Sequence, residues 1–187
     1  VGNIYQLRAM LRLQEMRLPQ QQQRLEEILR LPGVRAAKID MTGLGLGLCE
    51  YTQEKFPNLI HGVNFSTSVP ASSLSGSSLN PHPSSLASVR HQNVRITEAL
   101  ATQLLQVFED RAIQIPIDVD LRDDLRKPER FISPNGRVSI AATRNEAGHA
   151  DHFWSLALAL NAAQSPIQKP IEYHSWLPKC RQRIARL

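Results

Sequence analysis

An α/β fold with a central sheet is the class this sequence predicts, and three observations predict it. Two short, largely apolar runs, "VRAAKID" (34–40) and "LIHGVNF" (59–65), have the length and turn-residue boundaries of buried strands. Stretches with helical apolar spacing lie before and between them. A later run, "GHADHFWSLALALNAA" (148–163), is apolar nearly all round after Asp151, as expected of a helix buried against a sheet. Strand, helix, strand, helix, strand is the pattern of an α/β domain. At 187 residues the chain is expected to form one domain, 1–187, with a core of its own.

The elements follow in order. In "YQLRAMLRLQ", Tyr5, Leu7, Ala9, Leu11 and Leu13 fall on one face, with Met10 the exception, which predicts a half-buried strand over 5–14 built from residues that also favour helix. "PQQQQRLEEILRLPG" opens on Pro19, carries Leu25, Ile28 and Leu29 at helical spacing and stops at Pro32-Gly33, an amphipathic helix with both ends marked. The strand at 34–40 comes next, then a helix from about Gly47 to Lys55, then the strand at 59–65. Residues 66–93 are dominated by Ser, Pro, Gly and Asn and read as a long loop, of the kind that is either functional or disordered. "TEALATQLLQVFEDR" offers Thr97 as N-cap and Leu100, Leu104, Val107 and Phe108 as an apolar stripe. "IQIPIDVD" (113–120) reads as an extended sheet-edge segment interrupted by Pro116. "ERFISPNGRVSIAATR" reads as a hairpin about Pro134-Asn135-Gly136. Past the last helix, 169–187 is a basic tail ending in Arg181, Arg183 and Arg186.

Composition narrows the function classes. With 42% hydrophobic and 21% charged residues, the chain is globular rather than disordered. Its longest apolar run, around "FWSLALAL", is far short of the ~20 residues of a membrane span. "VGNIYQLRAM" has no uninterrupted apolar core, so no secretory signal is expected. Cys49 and Cys180 match no zinc or redox spacing, which suits a reducing, cytosolic setting. The net charge of +5 is compatible with a polyanionic partner without requiring one.

The chemistry turns on "KIDMTGLGLG", Lys38 to Gly47. A dinucleotide fingerprint needs G-x-G-x-x-G and an acidic residue about 20 positions on. Here the glycines alternate at 43, 45 and 47, position 61 is histidine, and no G-x-x-x-x-G-K-[ST] phosphate loop occurs. The glycines are expected to close a strand-to-helix turn. Asp40, ending a buried strand, has to be paired, hydrogen-bonded or metal-bound to offset its desolvation. "GHADHFW" then places His149, Asp151 and His152 where the last helix begins. Asp151 reads either as an N-cap or first-turn residue, or as an oxygen ligand that shares a hard cation with Asp40. A pair of such ions can activate water and stabilise the leaving oxygen of a phosphodiester. Asp118 and Asp120 read as solvated loop charges and Glu50 as an outer neighbour of the site. Phe153 and Trp154 read as core, and His61 as a satisfied strand histidine.

The ordered run of "IDMTGLGLGLCE", "LIHGVNFS", "ITEALATQLLQVFEDRAIQIPID" and "GHADHFWSLALAL" resembles the nuclease domain of tailed-phage terminase large subunits, especially those of the Mu-like prophage group. This resemblance implies an RNase H-like fold, with a mixed central sheet flanked by helices, that cuts duplex DNA during packaging with Mg²⁺ or Mn²⁺, as two ions. It implies Asp40 and Asp151 as catalytic metal ligands and His149 as an accessory catalytic neighbour. It further implies a terminase small subunit and a portal protein as partners, and the cytoplasm of a bacterial host as the setting. The family carries a first catalytic aspartate on a strand upstream of the one matching 5–14. The first acidic residue here is Glu15, so the sheet is expected to lack its first strand or strands. The alternative is a catalytically incomplete remnant that binds DNA or a motor subunit. A nucleotide-binding α/β enzyme rests on the glycine spacing alone.

Overall fold

The computed structural model describes residues 4–70, 93–134, 138–142 and 150–165. It begins with a short strand, β1 (Tyr5–Gln6), and a helix, α1 (Leu18–Leu29). Pro19 lies in the first turn of α1, the Gln20 side chain accepts the Arg17 N–H at 3.1 Å, and Gly33 at φ +99° turns the chain away after the helix. Next come β2 (Ala37–Asp40), α2 (Gly45–Lys55) and β3 (Ile60–Val63), a parallel strand–helix–strand unit in register Ala37↔Ile60 to Asp40↔Val63.

This unit has two unlike faces. Ala37, Ile39 and Ile60 pack with Leu29 and Cys49 into a small core beneath α1 and α2. The two-residue period of a strand sends Lys38 and Asp40 to the other face, where the register sets His61 and Val63 beside them. Val63 joins the main core. That core lies between α3 (Ile96–Glu109) and α5 (Asp151–Gln164), where Leu100, Leu104 and Val107 meet Phe153, Leu156, Ala157 and Leu160.

Two strands, β4 (Ser68–Pro70) and β5 (Asn93–Arg95), pair antiparallel, so the ends of the Ser/Pro-rich stretch are part of a ladder, while residues 71–92 between them lie outside the described residues. Because α3 follows β5 without a break, its N-cap is Arg95 and not the expected Thr97. The C-terminus of α3 closes with Ala112 N–H on Val107 O (2.9 Å) and Arg111 N–H on Phe108 O (3.0 Å), with Arg111 at φ 53°. This Schellman arrangement delivers the chain into β6 (Ile113–Gln114).

The strand expected over 5–14 is much shorter than its alternation suggests. β1 pairs parallel with β6, and the ladder ends at Leu7 N–H on Gln114 O (2.9 Å). Pro116 follows two residues later and has no N–H to continue it. Beyond Leu7, only Met10 and Leu13 of the run escape full exposure. The segment after β6 holds a helix the periodicity did not show, α4 (Val119–Leu125), capped by Asp118 Oδ1 accepting the Leu121 N–H at 2.8 Å. Arg12 pairs with Asp118 at 3.4 Å and Asp120 at 2.5 Å. These two are therefore a helix cap and a first-turn residue that anchor the N-terminal segment, not free loop charges.

The predicted hairpin is present as β7 (Pro128–Ile132) and β8 (Val138–Ala142), antiparallel, with the turn residues 135–137 outside the described set. A single central sheet is not formed among the described residues: four two-stranded ladders, β1–β6, β2–β3, β4–β5 and β7–β8, take its place. β2 and the end of β8 line one open cavity, and no ladder joins them. The strands are two to five residues long, and helical packing holds them together. Among the described residues no helix is long and apolar enough to cross a membrane.

Candidate active site

Asp40 is the last residue of β2, and the turn that follows explains the alternating glycines. Its Oδ1 accepts the Thr42 N–H at 2.9 Å, an Asx turn that starts the bend. Gly43 sits at φ +62°, where a side chain is strained. At Gly45 a Cβ would stand 1.9 Å from the Asp40 carbonyl oxygen, so the chain doubles back into α2 only because that residue has none. Thr42 Oγ1 in turn accepts the Phe65 N–H at 3.2 Å, which ties the turn to the end of β3. Among the described residues, Asp40 Oδ2 has no hydrogen-bond partner and no cation pairs with the carboxylate.

Asp151 opens α5 and is exposed. It is not the N-cap: that position is Ala150, fully buried at φ 57° and ψ 43° and without a capping side chain. Asp151 therefore lies in the first turn, where the helix dipole favours a negative charge. The missing cap comes from α4. Asp124 Oδ2 accepts the His152 N–H at 3.2 Å and meets His152 Nδ1 at 2.5 Å, while Lys127 Nζ holds Oδ1 at 2.6 Å. Burial alone raises the Asp124 pKa, but the hydrogen bonds from Lys127 and His152 outweigh it and leave the carboxyl below its ordinary value. Sequence reading missed Asp124, because nothing in "LRDDLRK" separates it from its neighbouring acids.

Asp40 and Asp151 line the same cavity, of about 1670 Å³. Around them stand Thr42, Phe65, Trp154 and Ser155, and farther along Arg35, Lys38 and His61. Trp154 stacks at a tilt on Phe65 (5.2 Å between centroids) and edge-on to Phe153 (4.9 Å). Phe153 is core, as expected, whereas Trp154 is half-buried and reaches both core and cavity. Lys38 Nζ donates to Asn161 Oδ1 of α5 at 2.5 Å, and burial pushes its pKa down. Glu50, Asp118 and Asp120 do not line the cavity. His149 lies outside the described residues.

The donors that Asp40 and Asp151 bring are all oxygen, which selects hard cations. Among the described residues no group of three or more His, Cys, Asp or Glu converges as a metal cage. Mg²⁺ does not demand one, since it commonly keeps several waters and binds through one or two carboxylates plus substrate phosphates. The residues present fit that mode.

Comparison with solved structures finds the same architecture. The chain is similar to the large terminase nuclease from thermophilic phage G20c, solved with bound magnesium, at 20% identity and a TM-score of 0.50, over 75% of this chain and 59% of that one. The fold is terminase-nuclease-like. The same nuclease solved with bound cobalt aligns at 22% identity, TM-score 0.49, over 75% and 60% of the two chains. The large terminase nuclease domain of Thermus phage P74-26 aligns at 16%, TM-score 0.48, over 76% and 58%. Thus the terminase-nuclease-like chain spans about three fifths of the length of each of these structures. No family model matches the sequence, and no curated protein does.

Proposed function

We propose that this chain is the nuclease domain of a phage or prophage DNA-packaging terminase, a metal-dependent endonuclease of the RNase H-like class and Mu-like group that hydrolyses duplex DNA. One observation carries the reading: on a terminase-nuclease-like fold, Asp40 at the end of β2 and Asp151 at the start of α5 face one cavity. Bound there, one or two Mg²⁺ or Mn²⁺ ions would supply Lewis acidity and lower the pKa of the attacking water. Asp40, through Oδ2, and Asp151 would hold the cations. The Asx turn at Thr42 fixes the orientation of the first carboxylate, and the Asp124 cap fixes the helix end that carries the second. DNA affinity comes mainly from Lys and Arg contacts to phosphate, so it is salt-dependent and weakly sequence-specific. A terminase small subunit, a portal protein and the bacterial cytoplasm belong to the same reading, as does His149 as an accessory catalytic residue.

The test is cleavage of a linear duplex with Mn²⁺ or Mg²⁺ by wild type, Asp40→Asn and Asp151→Asn, each checked for an unchanged melting temperature. Loss of cutting in both folded variants supports the reading. Full cutting by either removes that residue from the mechanism. A second reading, a catalytically incomplete module that binds DNA or a motor subunit, is favoured by the finding that no three His, Cys, Asp or Glu side chains come together among the described residues. Cation-independent DNA binding without cleavage by the wild-type protein selects it.

A further inference from the structure

Two carboxylates among the described residues are buried, and each has opposite charges at hand. Glu26 pairs with Lys55 at 2.7 Å and Arg30 at 2.8 Å, and Asp124 with Lys127 at 2.6 Å. Lys38 is different. It is half-buried on the same face of β2 as Asp40, its Nζ has the Asn161 amide oxygen at 2.5 Å, and among the described residues no carboxylate makes an ion pair with it. An amide oxygen orients an ammonium without neutralising it, and withdrawing an uncompensated charge from water is costly.

The orientation is firmly held. Asn161 Nδ2 donates to Gln103 Oε1 of α3 at 2.7 Å, and Gln103 Nε2 bonds Gln164. Asn161 lies ten residues beyond Asp151 on α5, about 15 Å along the helix axis. The ammonium is thereby drawn away from the carboxylates, along the cavity that they share. His61, the register partner of Lys38, and Arg35 line that same stretch. The cavity thus carries both acidic and basic side chains on its lining.

We propose that Lys38 binds a backbone phosphate of the nucleic-acid strand farther along the cavity from the phosphate that cations at Asp40 and Asp151 would hold, with His61 and Arg35 beside it. The identity of the polyanion rests on the nuclease reading; the position of the phosphate contact rests on Lys38 itself. Asn161 and Gln103 set where the ammonium waits.

The experiment measures binding of a fluorescent duplex oligonucleotide to the full chain, with Ca²⁺ in place of Mg²⁺, over a salt series. Lys38→Met is expected to weaken binding about 5- to 10-fold at low salt and to lower the slope of log affinity against log salt by about one, while Lys38→Arg keeps both. Should Lys38→Met destabilise the fold, Lys38→Gln keeps a donor for Asn161 and removes the charge. Unchanged affinity and slope in a folded, uncharged variant overturn the proposal. Loss of cleavage in Asp40→Asn beside that result leaves the nuclease reading standing. If Asp40→Asn and Asp151→Asn cut normally while the Lys38 slope still falls, the nuclease site is wrong and the phosphate contact holds.

Discussion

Asp124 on α4 accepts the main-chain N–H of His152 at 3.2 Å and meets its ring Nδ1 at 2.5 Å, so α5 receives from another helix the cap that Ala150 cannot provide. Truncating this carboxylate takes one partner from Lys127 and from His152 and leaves the His152 N–H uncapped beside an apolar core. Asp124→Ala is expected to lower unfolding stability by roughly 3 kcal/mol, as for removal of one partner from a buried pair. Because Asp151 rides on the same helix end, metal affinity should fall as well. Urea denaturation and Mn²⁺ titration of the folded variant measure the two effects separately.

The lowered pKa of Asp124 also gives stability a pH dependence. A carboxyl whose folded pKa lies below its unfolded value, about 3.9, contributes its full stabilisation above that value. The contribution disappears as pH falls through the folded pKa. The stability gap between wild type and Asp124→Asn should therefore be widest near neutrality and narrow on acidification below about pH 4. Urea midpoints of both proteins across that range test it; a gap that widens in acid contradicts it.

Two glycines of one motif should respond in opposite directions to the same substitution. A Cβ at position 45 collides with the Asp40 carbonyl oxygen at 1.9 Å, whereas at position 47 it meets nothing within 4 Å. Gly45→Ala is expected to destabilise by about 1–3 kcal/mol and to displace Asp40, lowering cleavage. Gly47→Ala, inside α2, should stabilise by about 0.5–1 kcal/mol with activity retained. Paired melting curves decide it.

Arg111 closes α3 at φ 53° and is exposed. Glycine adopts this conformation without the roughly 1 kcal/mol strain of an L side chain. Arg111→Gly is expected to raise stability by a few tenths to about 1 kcal/mol and to leave DNA cleavage alone, since Arg111 does not line the cavity. A thermal shift with parallel nuclease assays measures both.

What the sequence made legible was local. The strand carrying Asp40, the helix from Pro19, the 128–142 hairpin and the last helix announce themselves through apolar spacing and turn residues within a few positions. What it hid depends on distant partners. The β1 ladder ends at Leu7 because Pro116 follows β6, and α3 is capped at Arg95 because β5 is paired to β4. α4 is only seven residues long, and the apparent alternation of "IQIPIDVD" concealed its Asp118 cap. Asp40 and Asp151, expected as ligands from residue type, position and the resemblance, both line the cavity. Lys38 and Asp124 take their roles from contacts 123 and 28 positions away, which no spacing rule reveals.

The pairing of Ser68–Pro70 with Asn93–Arg95 has a consequence for how this domain can diversify. Pro70 and Asn93 stand opposite each other in the ladder, so a connection of any length between them closes on neighbouring points. Doubling the length of such an excursion raises its closure entropy by only about 0.6 kcal/mol. Phe65 and Ile96, just outside the paired strands, pack against the main core, so the ladder fastens both ends of that connection to it.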